Sequence, residues 1–208
     1  MINPAIPFTS FELLALLTFN KGAAATQSAK SLRLADGLSS PEARRAGLSS
    51  LIVRDLARAE NGQVAPVGNA GGVSGVLTGA DRWVEVGIVR RDRTDAAVLV
   101  GITGNGLLIS PRGLDVWDVL PVKPGTELTD AGVDLARRGV QDAGDQPVSA
   151  TVKVTTLDGS RAAAVHRDDA GVWRVATEPT GPDGALTIQD DVLADTDTAL
   201  AALSAALR

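Results

Sequence analysis

The stretch Trp83-Val-Glu-Val-Gly-Ile-Val-Arg-Arg-Asp-Arg-Thr-Asp-Ala-Ala-Val-Leu-Val-Gly-Ile102 decides the fold. Its first run places Trp83, Val84, Val86, Ile88 and Val89 at strand spacing, with no three-to-four periodicity of a helix. Asp92 to Asp95 is a polar turn, and Ala96 to Ile102 is a second apolar run of strand length. Two runs joined by so short a turn pair antiparallel, because parallel neighbours need a crossover of roughly a dozen residues or more.

Toward the C-terminus, Gly104-Asn105-Gly106 turns tightly, Leu107 to Ser110 reads as a third strand, and Val116 to Val122 as a fourth, short extended piece. Thr126 to Val140 is predicted helical, with Leu128, Ala131, Val133 and Leu135 turned inward. The pattern then recurs. Val148 to Thr156 is a strand, Asp158-Gly159 a hairpin turn, Arg161 to His166 a strand, and Asp169-Ala170-Gly171 a turn. Val172 to Thr177 is a strand, Thr180 to Gly184 a Pro/Gly loop, and Leu186 to Ile188 a short strand. A final helix is expected over Val192 to Leu207, with Leu193, Leu200, Leu203 and Leu207 inward. Asp92-Arg-Thr-Asp-Ala-Ala-Val98 answers Asp158-Gly-Ser-Arg-Ala-Ala-Ala-Val165, which reads either as an internal repeat of about 66 residues or as the ordinary likeness of two meander-plus-helix units.

Toward the N-terminus, residues 60–81 read as turns, through Asn61-Gly62 and Asn69-Ala70-Gly71-Gly72. Residues 1–60 read as helical. Thr9 with Glu12 makes a capping box for a helix over Phe11, Leu13, Leu14, Leu16, Leu17 and Phe19, which Gly22 ends as a left-handed cap. A second helix covers Ala24 to Ala35. Ser40-Pro41-Glu42 starts a third, in which Leu48, Leu51, Ile52 and Leu56 form the apolar stripe. The expected fold is α+β: N-terminal helices, then a mostly antiparallel sheet built from two similar strand-strand-strand-helix halves. The expected organisation is a single domain, 1–208, with a helical part at 1–60 and halves at 82–140 and 148–208.

Composition narrows the function classes. The chain has 208 residues, enough for one ordinary domain, and 44% are hydrophobic, which excludes wholesale disorder. Aromatics are 3% with no Tyr, so a wall of rings for bases or sugars is not expected. Residues 1–60 hold seven Lys and Arg against five Asp and Glu, and residues 61–208 thirteen against twenty, so a +2 head precedes a −7 body. The net −5 argues against a generic polyanion binder, while the basic head keeps one nucleic-acid reading open. The absence of cysteine excludes disulfides, thiol catalysis and thiolate metal sites, and fits a reducing cytoplasm. The apolar stretch Leu13 to Leu17 follows Glu12, lacks a basic flank and falls far short of the roughly 20 residues of a membrane span. A cytoplasmic protein without a membrane partner is expected.

The chemistry-bearing residues do not assemble a catalytic constellation. His166 precedes Asp168 and could be oriented by it, but a strand residue beside a polar turn is the simpler account. The pairs Asp115/Asp118, Asp168/Asp169 and Asp190/Asp191 lie in turns, where carboxylates ordinarily cap backbone N–H groups. Asp190, Asp191, Asp195 and Asp197 lack the alternating ligands of a calcium loop. Gly101-Ile-Thr-Gly104-Asn-Gly106 is followed by a strand, so it offers no helix N-terminus to a phosphate. No enzyme activity, cofactor or metal is expected. The hairpin tip Arg90-Arg91-Asp92-Arg93 is the candidate partner contact, since loops on rigid scaffolds carry recognition.

Three features resemble the EspG family of actinobacteria. Phe8-Thr-Ser-Phe-Glu-Leu-Leu-Ala-Leu-Leu17 is similar to that family's first helix and its Thr/Ser-x-x-Glu cap. Pro41-Glu-Ala-Arg-Arg-Ala-Gly-Leu-Ser-Ser-Leu-Ile-Val-Arg-Asp-Leu56 resembles its Leu-x-x-Arg-Gly-Leu segment, with Asp55 where Gly is common. The repeated halves resemble its quasi-two-fold α+β fold. The resemblance implies a cytoplasmic chaperone of type VII secretion that binds PE–PPE pairs, so the expected partner is a helical secreted substrate pair. A homodimer is compatible with the same reading. The competing reading is a winged-helix DNA-binding regulator using residues 9–65, with Arg44, Arg45, Arg54 and Arg58 on or beside its third helix and Asn61-Gly62 at the wing.

Overall fold

The computed structural model describes residues 5–180 and 185–208. In chain order the elements are β1 (Ile6–Thr9), α1 (Ser10–Leu17), α2 (Ala23–Ser31), a 3-10 turn (Ala35–Ser39), α3 (Pro41–Val53), β2 (Ala57–Glu60), β3 (Gln63–Pro66) and α4 (Gly68–Gly79). Then follow β4 (Arg82–Arg90), β5 (Thr94–Ile102), β6 (Asn105–Gly113), β7 (Val116–Val122), α5 (Leu128–Asp142), β8 (Val148–Thr156), β9 (Ser160–Arg167), β10 (Trp173–Thr180), β11 (Leu186–Ile188) and α6 (Thr196–Ala206). Among the described residues, nine strands form one sheet in the order β1-β7-β6-β5-β4-β8-β9-β10-β11, and β2 with β3 forms a separate hairpin. The α+β class and the antiparallel sheet are as the sequence predicts; β1 and β2, within residues read as helical, and β3, within residues read as turns, correct that reading. Of the expected Pro/Gly loop, residues 181–184 lie outside the described residues.

The chain divides into two compact units. The first comprises Met1–Trp83 and Val98–Gly125, the second Val84–Ala97 and Thr126–Arg208.

In the first unit, Phe8, Leu13, Leu16, Leu17, Leu32, Leu51, Leu77, Trp83 and Ile109 are fully buried. Each large apolar side chain removed from water contributes about 1.5–3 kcal/mol. The capping box of α1 forms as predicted: Glu12 N–H donates to Thr9 Oγ1 at 3.2 Å, and Thr9 N–H to Glu12 Oε2 at 2.9 Å. Ser40 caps α3, accepting from Ala43 N–H at 3.1 Å, with Pro41 in the first turn. Glu12 through Leu17 are all buried, so α1 is enclosed on every side rather than amphipathic, while Phe11 is half exposed.

Four expectations here are corrected. Helix α1 ends at Thr18, and Gly22 has φ 178°, extended backbone, so it is no left-handed cap. Helix α2 stops at Ser31 and a 3-10 turn follows. On α3, Ala43, Gly47 and Leu51 are buried and Leu48 packs against the core; Ile52 is exposed, and Leu56, which also packs on the core, lies past the helix end. Residues 60–81, read as turns, hold the predicted Asn61-Gly62 hairpin but also the whole of α4. Its glycines oppose helix formation, at about 1 kcal/mol each relative to Ala. Burial overrides that cost: Ala70, Val73 and Leu77, spaced at three and four, enter the core. Ser74 Oγ donates to Leu16 O at 3.0 Å, and Ser28 Oγ donates to Leu77 O at 2.6 Å while accepting from Trp83 Nε1 at 2.8 Å.

In the second unit, α5 lies on β4 and β8. Gly132 is placed over Val84, Val86 and Val152, and Gly139 over Ile88, so α5 runs along β4 in its own direction and β8 returns. The predicted inward residues are partly corrected. Leu128 and Val133 are buried, but Ala131 and Leu135 are half-buried, and Gly132, Ala136, Gly139 and Val140 take the sheet face. Glycine is selected there because close helix–sheet approach outweighs propensity. Helix α6 is capped by Asp195, which accepts from Thr198 N–H at 2.8 Å, and it buries Leu200 and Leu203. It starts at Thr196, after the predicted Val192, because Leu193, expected on the helix, instead bridges β10, its N–H donating to Trp173 O at 3.0 Å.

Candidate partner-binding rim

The predicted contact hairpin joins β4 to β5 in the second unit. Arg90 N–H donates to Arg93 O at 2.9 Å and closes the loop. The Arg90 side chain is nearly buried and pairs with Asp95, which also receives Arg93 Nε at 3.3 Å. Arg91 and Asp92 project into solvent. Arg91 Nη2 reaches Asp169 Oδ1 at 2.6 Å, with both side chains well exposed, at 69% and 79%. Each arginine of the basic cluster is therefore paired: Asp95 answers Arg90 and Arg93, and Asp169 answers Arg91. Sequence reasoning missed Asp169, because a pair 78 residues apart leaves no local signal.

Asp169 belongs to the turn between β9 and β10. Asp168 builds that turn, accepting from Val172 N–H at 2.9 Å, Ala170 N–H at 3.0 Å and Arg174 Nη1 at 3.2 Å. The Val172 N–H is the chief cause that holds the Asp168 carboxyl below the usual carboxylate range; partial burial opposes it, and Arg174 and Ala170 add to the lowering. A carboxyl lowered in the fold stabilises it above its unfolded value, and that contribution is lost as pH falls through the folded value. Amide exchange at Ala170 and Val172, corrected for intrinsic rate, should therefore be constant from pH 7 to 5 and accelerate below about pH 4. Unchanged protection in acid would detach the turn from Asp168.

A third segment joins at this end. Arg167, on the helix-covered face of β9, is buried and donates to the carbonyls of Gly144 and Gln146 in the α5–β8 connection. Its guanidinium lies 5.2 Å from the ring centroid of Trp173. One side chain thus fixes the connection that leads into β8 at Val148, which pairs with Arg167 itself. On the other face, β8, β9 and β10 present Ser149, Thr151, Ala162, Ala164, His166, Arg174 and Ala176, exposed or half-buried and mostly small. His166 Nδ1 shares a hydrogen bond of 2.7 Å with Ser149 Oγ. Asp168 is engaged by its own turn and by Arg174, so the His166–Asp168 pairing weighed from sequence does not form.

The remaining candidates fall elsewhere. Asp195 caps α6, and among the described residues no three or more His, Asp or Glu converge to hold a metal ion. Gly104 has φ 81° in a tight turn between strands. In the first unit three helices and a hairpin do follow one another; Arg44, Arg45 and Arg58 are exposed. Arg54 is not available to a phosphate, since its Nη1 pairs with Glu12 at 2.7 Å and its Nη2 donates to Pro7 O at 3.0 Å. No described helix is long and apolar enough to cross a membrane.

No family model matches the chain, and no curated protein matches it. Among solved structures it is similar to the Mycobacterium tuberculosis type VII secretion system chaperone EspG5, solved in complex with the PE25–PPE41 dimer. The TM-score is 0.54 at 11% identity, covering 98% of this chain and 95% of that one. The likeness is one of fold.

Proposed function

We propose that the chain is a non-enzymatic protein-binding module that serves as a cytoplasmic chaperone for type VII secretion substrates, gripping a helical protein pair through the rim around Arg90, Arg91, Asp92 and Arg93. The observation that carries this reading is a fold shared end to end with a chaperone whose client is a protein dimer. The rim supports it: three chain segments are fixed at one end of the second unit, and the exposed Arg91 of one pairs with the exposed Asp169 of another.

An exposed pair such as Arg91–Asp169 contributes about 0–1 kcal/mol to folding. Its groups can exchange partners at little cost when a client arrives, and they orient it without a strong net field. Arg91→Glu places a second anion beside Asp169, but both side chains are well exposed, so it should lower the melting temperature by no more than about 2–4 °C. The same change should sharply reduce recovery of client in affinity purification from the native cell. Small helical secreted proteins identified by mass spectrometry would support the chaperone role. Undiminished capture by the variant would remove this loop from the interface.

A further inference from the structure

Among the described residues, β1 and β11 are the edge strands of the large sheet, and their backbones end differently. On β1, Ser10 N–H donates to Asp115 O at 2.8 Å in continuation of the β1–β7 register, so Ile6 and Phe8 bond to β7 while Pro7 and Thr9 face outward. Neither outward position offers a donor. Pro7 has no N–H, and its carbonyl accepts from Arg54 Nη2 at 3.0 Å; Thr9 N–H donates to Glu12 Oε2 at 2.9 Å. This edge is closed to a further strand.

The β11 edge, in the second unit, is open. Ala176 pairs with Ile188, and Gln189 N–H donates to Val175 O at 2.8 Å. Bonded and non-bonded pairs alternate along an antiparallel ladder. Ile188 therefore turns its N–H and C=O away from β10, to the side where no described strand follows. Its side chain lies beside that of Ala176, on the face away from α6, and is 61% exposed.

Charge selects what such an edge takes. Residues 175–207 contain no Lys, Arg or His, and carry Glu178, Asp183, Asp190, Asp191, Asp195 and Asp197. Asp197 faces Arg137 at 3.4 Å and Asp195 caps α6, whereas Glu178, Asp190 and Asp191 are exposed with no cation beside them among the described residues. A second copy of this chain brought to the edge would set acid against acid, and a strand bearing Lys or Arg would be attracted. We propose that β11 is a docking edge that takes up an extended, Lys- or Arg-rich segment of another protein as an added strand. Ile188 supplies the backbone bonds, and Glu178, Asp190 and Asp191 the charge selection. Main-chain bonding gives such a contact its affinity; it needs no helix in the partner and is independent of the rim.

The test uses the full chain and a synthetic peptide of alternating Lys and Val. One control is the same peptide N-methylated at every backbone amide, which keeps the charge and loses the donors; the other alternates Glu and Val. Fluorescence anisotropy should show binding of the unmodified Lys–Val peptide alone, weakening as salt is raised. Amide exchange at Ile188 should slow about tenfold in the complex, since its N–H gains a partner. Asp190→Lys combined with Asp191→Lys should weaken binding about tenfold. Ile188→Pro removes the outward donor, leaves the bonds to β10 in place and should abolish binding. No binding, equal binding of either control peptide, binding with Ile188 exchange unchanged, or undiminished affinity in the double Asp variant overturns the proposal.

Discussion

Gly47→Ala is expected to lose about 3 kcal/mol of stability, the upper range for forced overpacking, and roughly 6–12 °C in melting temperature. A methyl group at position 47 would lie far inside contact distance of the Phe11 carbonyl oxygen and press on Ala15 Cβ. Both α1 and α3 would have to move apart, opening the core around Leu51 and Leu13. Helix propensity works in the opposite direction and favours alanine by about 1 kcal/mol, so a loss would establish that packing wins. Gly72→Ala in α4 provides the internal control. Nothing lies within 4 Å of a methyl group there, and the site is exposed on a helix. It should gain about 1 kcal/mol. Urea denaturation of both variants reads the comparison directly; equal signs for the two would refute the close approach of α1 to α3.

Arg54→Ala should be the most damaging loss of a charge in the first unit. Glu12 is fully buried and is held by Thr9 N–H, by Ser50 Oγ at 2.6 Å and by Arg54 at 2.7 Å. Removing one partner of a buried ion pair leaves a charge without compensation, a cost of about 3–5 kcal/mol when the site is fully dry. The Arg54 side chain is 37% exposed, so water reaches the vacated place; about 2 kcal/mol is expected here after that discount. Its stacking 5.9 Å from the Phe8 ring adds to the loss. In a Glu12→Gln background the same arginine substitution should cost about 1 kcal/mol or less, since the amide keeps the cap without a charge to strand. A double-mutant cycle by chemical denaturation measures this; identical costs in both backgrounds would show that the arginine acts through packing alone.

The candidate rim was legible only in part. Arg90 to Arg93 stood out because charged residues interrupt two apolar runs, which is a local pattern. The partners that neutralise them did not stand out. Asp95 lies within reach of simple spacing, but Asp169 arrives through the β9–β10 turn, and Arg167 spends its charge on backbone carbonyls of Gly144 and Gln146. Turn composition says that a residue is polar and says nothing about what it faces.

The sequence by itself determined the strands from Arg82 onward, their antiparallel pairing, the Thr9–Glu12 and Ser40 helix starts and the inward Leu200 and Leu203 of α6. These depend on periodicity and on hydrogen bonds that close within a few residues. Tertiary structure decided the rest: that Gly-Asn-Ala-Gly-Gly-Val-Ser-Gly is a helix, that Gly132 and Gly139 rather than Ala131 and Leu135 meet the sheet, and that Glu12 joins a cap to a buried ion pair. In each case the local preference is worth about 1 kcal/mol, while burial of a single neighbouring leucine or closure of one buried contact is worth more, so the larger, non-local term prevails.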